Sequence, residues 1–255
     1  MKNIFSSLAI AFAMYSKIPM PRVNWDKSRM KYVMIFFPLV GVVVGGCVFG
    51  MILVADIFGM SQLLLACIST VVPIIITGGI HFDGYMDTVD AISSYAEKER
   101  KLEILKDPHV GAFGVIYAIV YVVIFVGGMF ALLDSKQGIV AVSLAFVLSR
   151  CLSAISACNF KSANCGSLST FKDASEKSIC NACLFSFFAV LVGLFGFFSS
   201  WFGVVVVAVQ LLWLGVYRIR IYKIFGGVTG DTAGYFLQIA ELLSVVGVAI
   251  LAVFI

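Results

Sequence analysis

The fold this sequence predicts is an all-α, polytopic integral membrane bundle of about seven spanning helices, preceded by a short interfacial or re-entrant helix. Three observations predict it. Hydrophobic residues make up 61% of the 255 and charged residues only 13%, with a mean hydropathy of +1.05, beyond the range of soluble globular chains. The apolar residues fall in blocks of about 20, the helix length that crosses a hydrocarbon core of about 30 Å. The basic residues gather in alternate connections, as orientation in a bilayer demands.

The elements follow in order. The opening run MKNIFSSLAIAFAMYSK has a basic start, a short apolar stretch and an Ala11-Phe12-Ala13 that imitates a signal-peptidase site. Cleavage there would leave Lys17, Arg22, Lys27, Arg29 and Lys31 outside, against the positive-inside rule, so the run reads as an uncleaved helix too short to span comfortably. Spans are predicted over residues 33–56, 58–80, 110–133, 138–159, 180–199, 201–217 and 233–255, with hairpin joins at 57 and 200. Six Lys or Arg precede the first span, four lie in 81–109, three in 160–179 and three in 218–232, sixteen of the eighteen. The expectation is one domain over residues 1–255 in a cell inner membrane, with the amino terminus and those three loops cytoplasmic and the site carried on the loops.

Small residues organise the first span: Gly41 with Gly45 and Gly46 with Gly50 form two pairs that admit a neighbouring helix. The seven cysteines are an odd number without framework spacing, and Cys180-x-x-Cys183 lacks a second pair or a nearby histidine, so they read as packing residues. The net charge of +4 is scattered through short loops, with no soluble basic module, which excludes nucleic acid as a partner.

Chemistry gathers on one side. After the uncharged LLLACISTVVPIIIT comes GGIHFDGYMDTVDA; if the second span's helix continues past Gly79, Asp83, Asp87 and Asp90 occupy i, i+4 and i+7 on one face. Three like charges so placed repel one another unless a cation neutralises them, and carboxylate oxygens are what Mg²⁺ takes beside substrate phosphates. His81 lies off that face and reads as a base or a phosphate-orienting group. Next, EKERKLEILKDPHVGAFGV predicts an amphipathic helix ended by Pro108 and Gly111, with Lys106, Asp107 and His109 at the entry to the next span. For Arg100, Lys101 and Lys106, snorkelling toward headgroups and phosphate binding are equal alternatives. In the last loop Thr229, Gly230, Asp231 and Thr232 follow Gly226 and Gly227, a backbone suited to phosphate or Mg²⁺, unless Asp231 merely caps the last helix. Arg150 within a span is a functional candidate by default, or the partner of Glu241.

The segments YSKIPMP (15–21), FFPLVGVVVG (36–45), GGIHFDGYMDTVDA (78–91), RKLEILKDPHVGAFG (100–114), LSRCLS (148–153) and GGVTGDTAG (226–234), in this order over nearly the whole chain, resemble the cobalamin synthases, the adenosylcobinamide-GDP ribazoletransferases. The resemblance implies a Mg²⁺-dependent transfer in which a hydroxyl of α-ribazole, or of its 5'-phosphate, attacks the cobinamide-linked phosphate of adenosylcobinamide-GDP and GMP leaves. It implies Asp83, Asp87, Asp90 and Asp231 as metal-binding acids, His81 as a base, and Lys106, Asp107 and Arg150 as catalytic. Arg100, Lys161, Thr229, Gly230 and Asp231 fall on the substrate side. The partners it implies are those two small molecules and the bilayer, with a homo-oligomer or a complex with other cobalamin-assembly enzymes left open. This chain departs from the family pattern at Phe82, where an acid is common, at Pro108, where Ser is usual, and at Lys161, where Arg is common.

Two rivals stand beside that reading. A CDP-alcohol phosphotransferase also clusters aspartates at a helix end, but Tyr85-Met86-Asp87-Thr88 follows Asp83-Gly84 in place of that family's start. A cation transporter would favour acids in mid-span and repeat symmetry.

Overall fold

The structure, a computed structural model, describes residues 2–163 and 167–255; Cys165 and the centre of the loop after Lys161 lie outside the described residues. Twelve helices are found among the described residues: α1 (Lys2–Tyr15), α2 (Lys27–Met30), α3 (Val33–Ile57), α4 (Gln62–Thr77), α5 (Ile80–Ser93), α6 (Lys98–Ile104), α7 (Ala112–Leu132), α8 (Lys136–Asn159), α9 (Ser167–Ala174), α10 (Lys177–Phe198), α11 (Ser200–Phe225) and α12 (Gly230–Phe254). Their only β-type pairing is a single parallel bridge between Ser162 and Val228. Six of the helices, α3, α7, α8, α10, α11 and α12, are long and apolar enough to cross a membrane, and α4 with α5 forms a bent seventh. The chain is a multi-pass membrane protein.

Helix α8 is the axis of the bundle. Nearly every residue from Gly138 to Cys158 is buried, with α3, α10, α11 and α12 around it. Close approach of α3 depends on two glycines. A Cβ at Gly41 would lie 2.8 Å from Val147 Cα, and one at Gly45 would strike the Ser143 backbone. Gly46 and Gly50 face open space instead, so of the two small-residue pairs expected to admit a helix, only the first has one against it. The amino-terminal helix α1 buries Ala9, Ile10 and Ala11 completely while Ile4 and Phe5 stay exposed, and it lies along α3.

Three boundaries differ from expectation. The second span does not continue as one helix past Gly79. It stops at Thr77, and α5 leaves at 96° to α4. Gly78 (φ +64°) and Gly79 (φ +78°) are both left-handed, a conformation that glycine adopts without a Cβ penalty and a helix cannot propagate. Second, residues 81–93 are therefore not loop but helix. Third, α11 runs eight residues beyond 217, carrying Arg218, Arg220 and Lys223 on its last turns until Gly226 (φ +78°) ends it. Long basic side chains favour helix and reach water from its end, so the expected loop 218–232 shrinks to the four residues before α12.

Candidate active site

The crossing of α5 and α12 builds the site, and glycine makes that crossing possible. A Cβ on Gly84 would sit 2.8 Å from Asp231 Cα, and one on Gly234 would sit 2.8 Å from the carbonyl oxygen of His81. Backbone therefore meets backbone, and the first turn of α12 is laid against the acidic face of α5. Tyr85 and Tyr235 stack beside the contact, centroids 5.9 Å apart and planes within 8°, and Tyr121 closes against Tyr85 at 5.4 Å. The Trp213 indole N–H donates to the Phe236 carbonyl at 3.0 Å and ties α11 to α12 just behind.

Around this crossing Asp83 is exposed and Asp87 half-buried. Asp83, Asp231 and Asp90 all repel the Asp87 charge, and Asp83 repels that of Asp231. Neither Asp83 nor Asp87 has a hydrogen bond or ion pair among the described residues. The i, i+4 spacing of Asp83 and Asp87 holds on α5, and Asp231 joins them across 140-odd residues of sequence.

Asp90, expected among the metal ligands, has other work. Its Oδ2 accepts the Gly111 N–H and its Oδ1 the Gly114 N–H, each at 2.9 Å. Both glycines are required, because a Cβ at either would meet the carboxylate. A carboxylate receiving the first amides of α7 is favoured by charge and by the helix dipole, so Asp90 fastens α7 to α5. Among the described residues no three His, Cys, Asp or Glu side chains form a ready-made metal cluster. The remaining donor set still fits Mg²⁺, which takes one or two carboxylates and completes its shell with water and substrate phosphate oxygens. Unpartnered Asp83 and Asp87 are such a pair, with Asp231 opposite.

The other expected residues divide. Arg150 is 1% exposed and its Nη1 lies 2.5 Å from Glu241 Oε1, with a second bond to the Phe146 carbonyl at 2.8 Å; Ser149 Oγ donates to the same Glu241 oxygen at 3.0 Å. The catalytic expectation for Arg150 is thus replaced by the alternative, a buried ion pair joining α8 to α12. Asp107 is exposed and accepts the backbone N–H of His109 at 3.0 Å and bonds its ring at 2.8 Å. Those two contacts, the backbone one foremost, hold its carboxyl below the usual carboxylate range. It is a loop clasp, with no hydrogen bond or ion pair to the α5 acids among the described residues. Lys106 beside it is exposed. Arg100, expected on the substrate side, pairs with Glu103 at 2.8 Å on the exposed face of α6.

Thr229 is the N-cap of α12. Its Oγ1 accepts the Thr232 N–H at 3.1 Å while Thr232 Oγ1 accepts the Thr229 N–H at 2.8 Å, a reciprocal capping box. The hydroxyl expected to bind substrate is engaged there, and Asp231 is left free of the capping role. Gly230 is exposed at the helix start. Lys161 reaches the same end through its backbone: its carbonyl accepts the Val228 N–H at 2.8 Å, and the Val228 carbonyl accepts the Ala163 N–H at 3.1 Å. Its side chain is exposed.

His81 is 5% exposed, between the rings of Tyr15 at 5.8 Å and Phe37 at 5.5 Å. It lines a cavity bounded also by Gly230 and Asp231. Sequence reasoning missed Tyr85 and Tyr235, whose only signal was a tyrosine immediately after each of Gly84 and Gly234. It also missed Arg218, stacked at 5.2 Å over Phe160, and Lys98, which lies over Gly226 at the end of α11.

A bundle of membrane-spanning helices whose carboxylates converge, unneutralised, beside a capped glycine-rich helix start defines the class: a polytopic membrane enzyme. Comparison with known proteins makes it specific. A family model described as Cobalamin-5-phosphate synthase matches residues 7–249. The chain is similar to an adenosylcobinamide-GDP ribazoletransferase of Lachnoclostridium phytofermentans, 42% identical over 96% of this chain and 94% of that one. It is also similar to those of Clostridium botulinum strain Alaska E43, at 32% over 95% and 96%, and Listeria monocytogenes serotype 4b, at 33% over 93% and 94%. No solved structure matches. The chain belongs to the cobalamin-5-phosphate synthase family, and it is a transferase.

Proposed function

We propose that this enzyme transfers the cobinamide-linked phosphate of adenosylcobinamide-GDP to a hydroxyl of α-ribazole or its 5'-phosphate, with Mg²⁺ required. Family membership supports the reaction, and the observation that carries the site is the α5–α12 crossing, which assembles Asp83, Asp87 and Asp231 from distant parts of the chain. The acceptor oxygen forms a new bond to phosphorus, the phosphoanhydride bond breaks, and GMP leaves with that electron pair. Bound Mg²⁺ would neutralise charge on the diphosphate and on the departing phosphate.

The protein's own residues do the rest. Asp83 and Asp87 are the residues that would hold the ion. Asp231, which faces both those acids and the cavity, takes the hydroxyl proton. The exposed glycine backbone at Gly230, with the amides of the first turn of α12, receives phosphate oxygens. Asp90 fixes the angle of α5 by holding α7. The basic residues at this end, Lys98, Lys106 and Lys161, draw a multiply charged donor toward the mouth, which in this reading faces the cytoplasm.

The test is GMP release from adenosylcobinamide-GDP by purified protein in detergent or lipid discs. Release is expected only with both α-ribazole (or its phosphate) and Mg²⁺, and is expected to stop on chelation and return with added Mg²⁺. Folded protein that releases no GMP, or that releases it at full rate in chelator, overturns the reading.

A further inference from the structure

The cavity behind the acids is not explained by phosphoryl transfer. It has a volume of about 130 Å³ and is walled by Tyr15 from α1, Met34 and Phe37 from α3, Ala157 from α8 and His81 from α5, with Asp231 at its rim. Its lining is mainly apolar, and His81, one of its lining residues, has a buried Nε2 with no hydrogen-bond partner. Native interiors rarely leave a buried imidazole nitrogen unmatched, since its lost solvation is not replaced. The ring itself is held in place from two sides by Tyr15 and Phe37. An apolar space with aromatic rings in its wall and one unpartnered polar nitrogen on a lining residue together describe a receptor for a flat heteroaromatic ring.

Size narrows the occupant. An apolar cavity of about 150 Å³ takes up one benzene ring, so this space admits the outer ring of a bicycle and excludes a corrin. Position narrows it further, since the rim is Asp231 and exposed Gly230, and a sugar attached to that bicycle would emerge among the carboxylates. We infer that the cavity between α1, α3, α5, α8 and α12 binds the benzimidazole ring of the nucleoside acceptor, with His81 Nε2–H donating to its free ring nitrogen. This rests on the acceptor identity proposed above and deepens it. His81, expected as a base, becomes instead the residue that selects the acceptor's ring. It also gives a function to the first 37 residues, whose Tyr15 and Phe37 lie in segments that carry the family resemblance.

The test compares acceptors in the wild-type protein and two variants. Wild-type protein is expected to prefer α-ribazole about tenfold in KM over the matching indole riboside, in which carbon replaces the free nitrogen. In His81→Phe, which keeps an aromatic ring of similar shape, that preference is expected to vanish. Ala157→Leu, which fills the cavity from α8, is expected to raise the KM for α-ribazole at least tenfold with the KM for adenosylcobinamide-GDP unchanged. Equal use of both ribosides by wild-type protein, a preference that survives in His81→Phe, or an Ala157→Leu effect shared equally by both substrates would overturn the inference. Equilibrium dialysis of α-ribazole without the donor separates this from failure of the reaction itself. Saturable binding lost in Ala157→Leu supports the pocket even if no GMP forms, and binding unchanged in that variant removes it.

Discussion

The bundle holds two sets of charged groups, and they are treated in opposite ways. At Arg150 and Glu241 the charges are buried, matched one to one at 2.5 Å and supported by Ser149 and the Phe146 carbonyl. At the α5–α12 crossing three carboxylates face one another with no cation among the described side chains to relieve them. Desolvating a charge costs several kcal/mol unless it is paired, so the first set is complete as architecture, whereas the second is incomplete as it stands. The difference separates structure from chemistry where residue type alone does not: an arginine inside a span is a catalytic candidate by residue type, and its charge is already committed to Glu241 in the core.

Breaking the completed set has the largest expected effect. Glu241→Ala strands Arg150 in the core and is expected to lower stability by about 3–5 kcal/mol, read as a large fall in the melting temperature of the detergent-solubilised protein. Replacing both members with apolar residues (Arg150→Met with Glu241→Leu) sharpens the comparison, since most of that loss is expected to return. Next comes the incomplete set. Asp87→Asn relieves repulsion and removes an ion ligand, so melting temperature is expected to hold or rise while GMP release falls roughly 10²–10³-fold, about 3–4 kcal/mol of transition-state stabilisation. Full turnover in that variant would take Asp87 out of the metal role. The smallest effect belongs to a pair that is matched but exposed: Arg100→Ala breaks its bond to Glu103 and is expected to shift stability by less than about 1 kcal/mol.

Much of this was legible in the sequence for local reasons. Apolar length gave the spans, the i, i+4 spacing of Asp83 and Asp87 survives on α5, and Gly41 and Gly45 meet a helix as their spacing implies. What was not legible depends on partners far along the chain. Asp90 looked like a third ligand because nothing near it betrays that Gly111 and Gly114 use it as a cap. Arg100 and Thr229 looked available because the sequence does not reveal which bonds a polar side chain has already formed. The end of α11 was set too early at 217 because hydropathy marks where lipid ends, and a helix is free to continue past that point. His81 was noticed for its chemistry, but a cavity assembled from five helices has no pattern in any one of them.

The bend at Gly78 and Gly79 has a consequence in reach. Left straight, the 14 residues of α5 would extend about 21 Å farther along the line of α4, and their carboxylates would hang in bulk water like a stalk, each hydrated and of little use to an ion. Two residues without side chains fold that stalk back onto α12. The medium in which the acids operate is therefore decided by a pair of glycines that touch neither metal nor substrate.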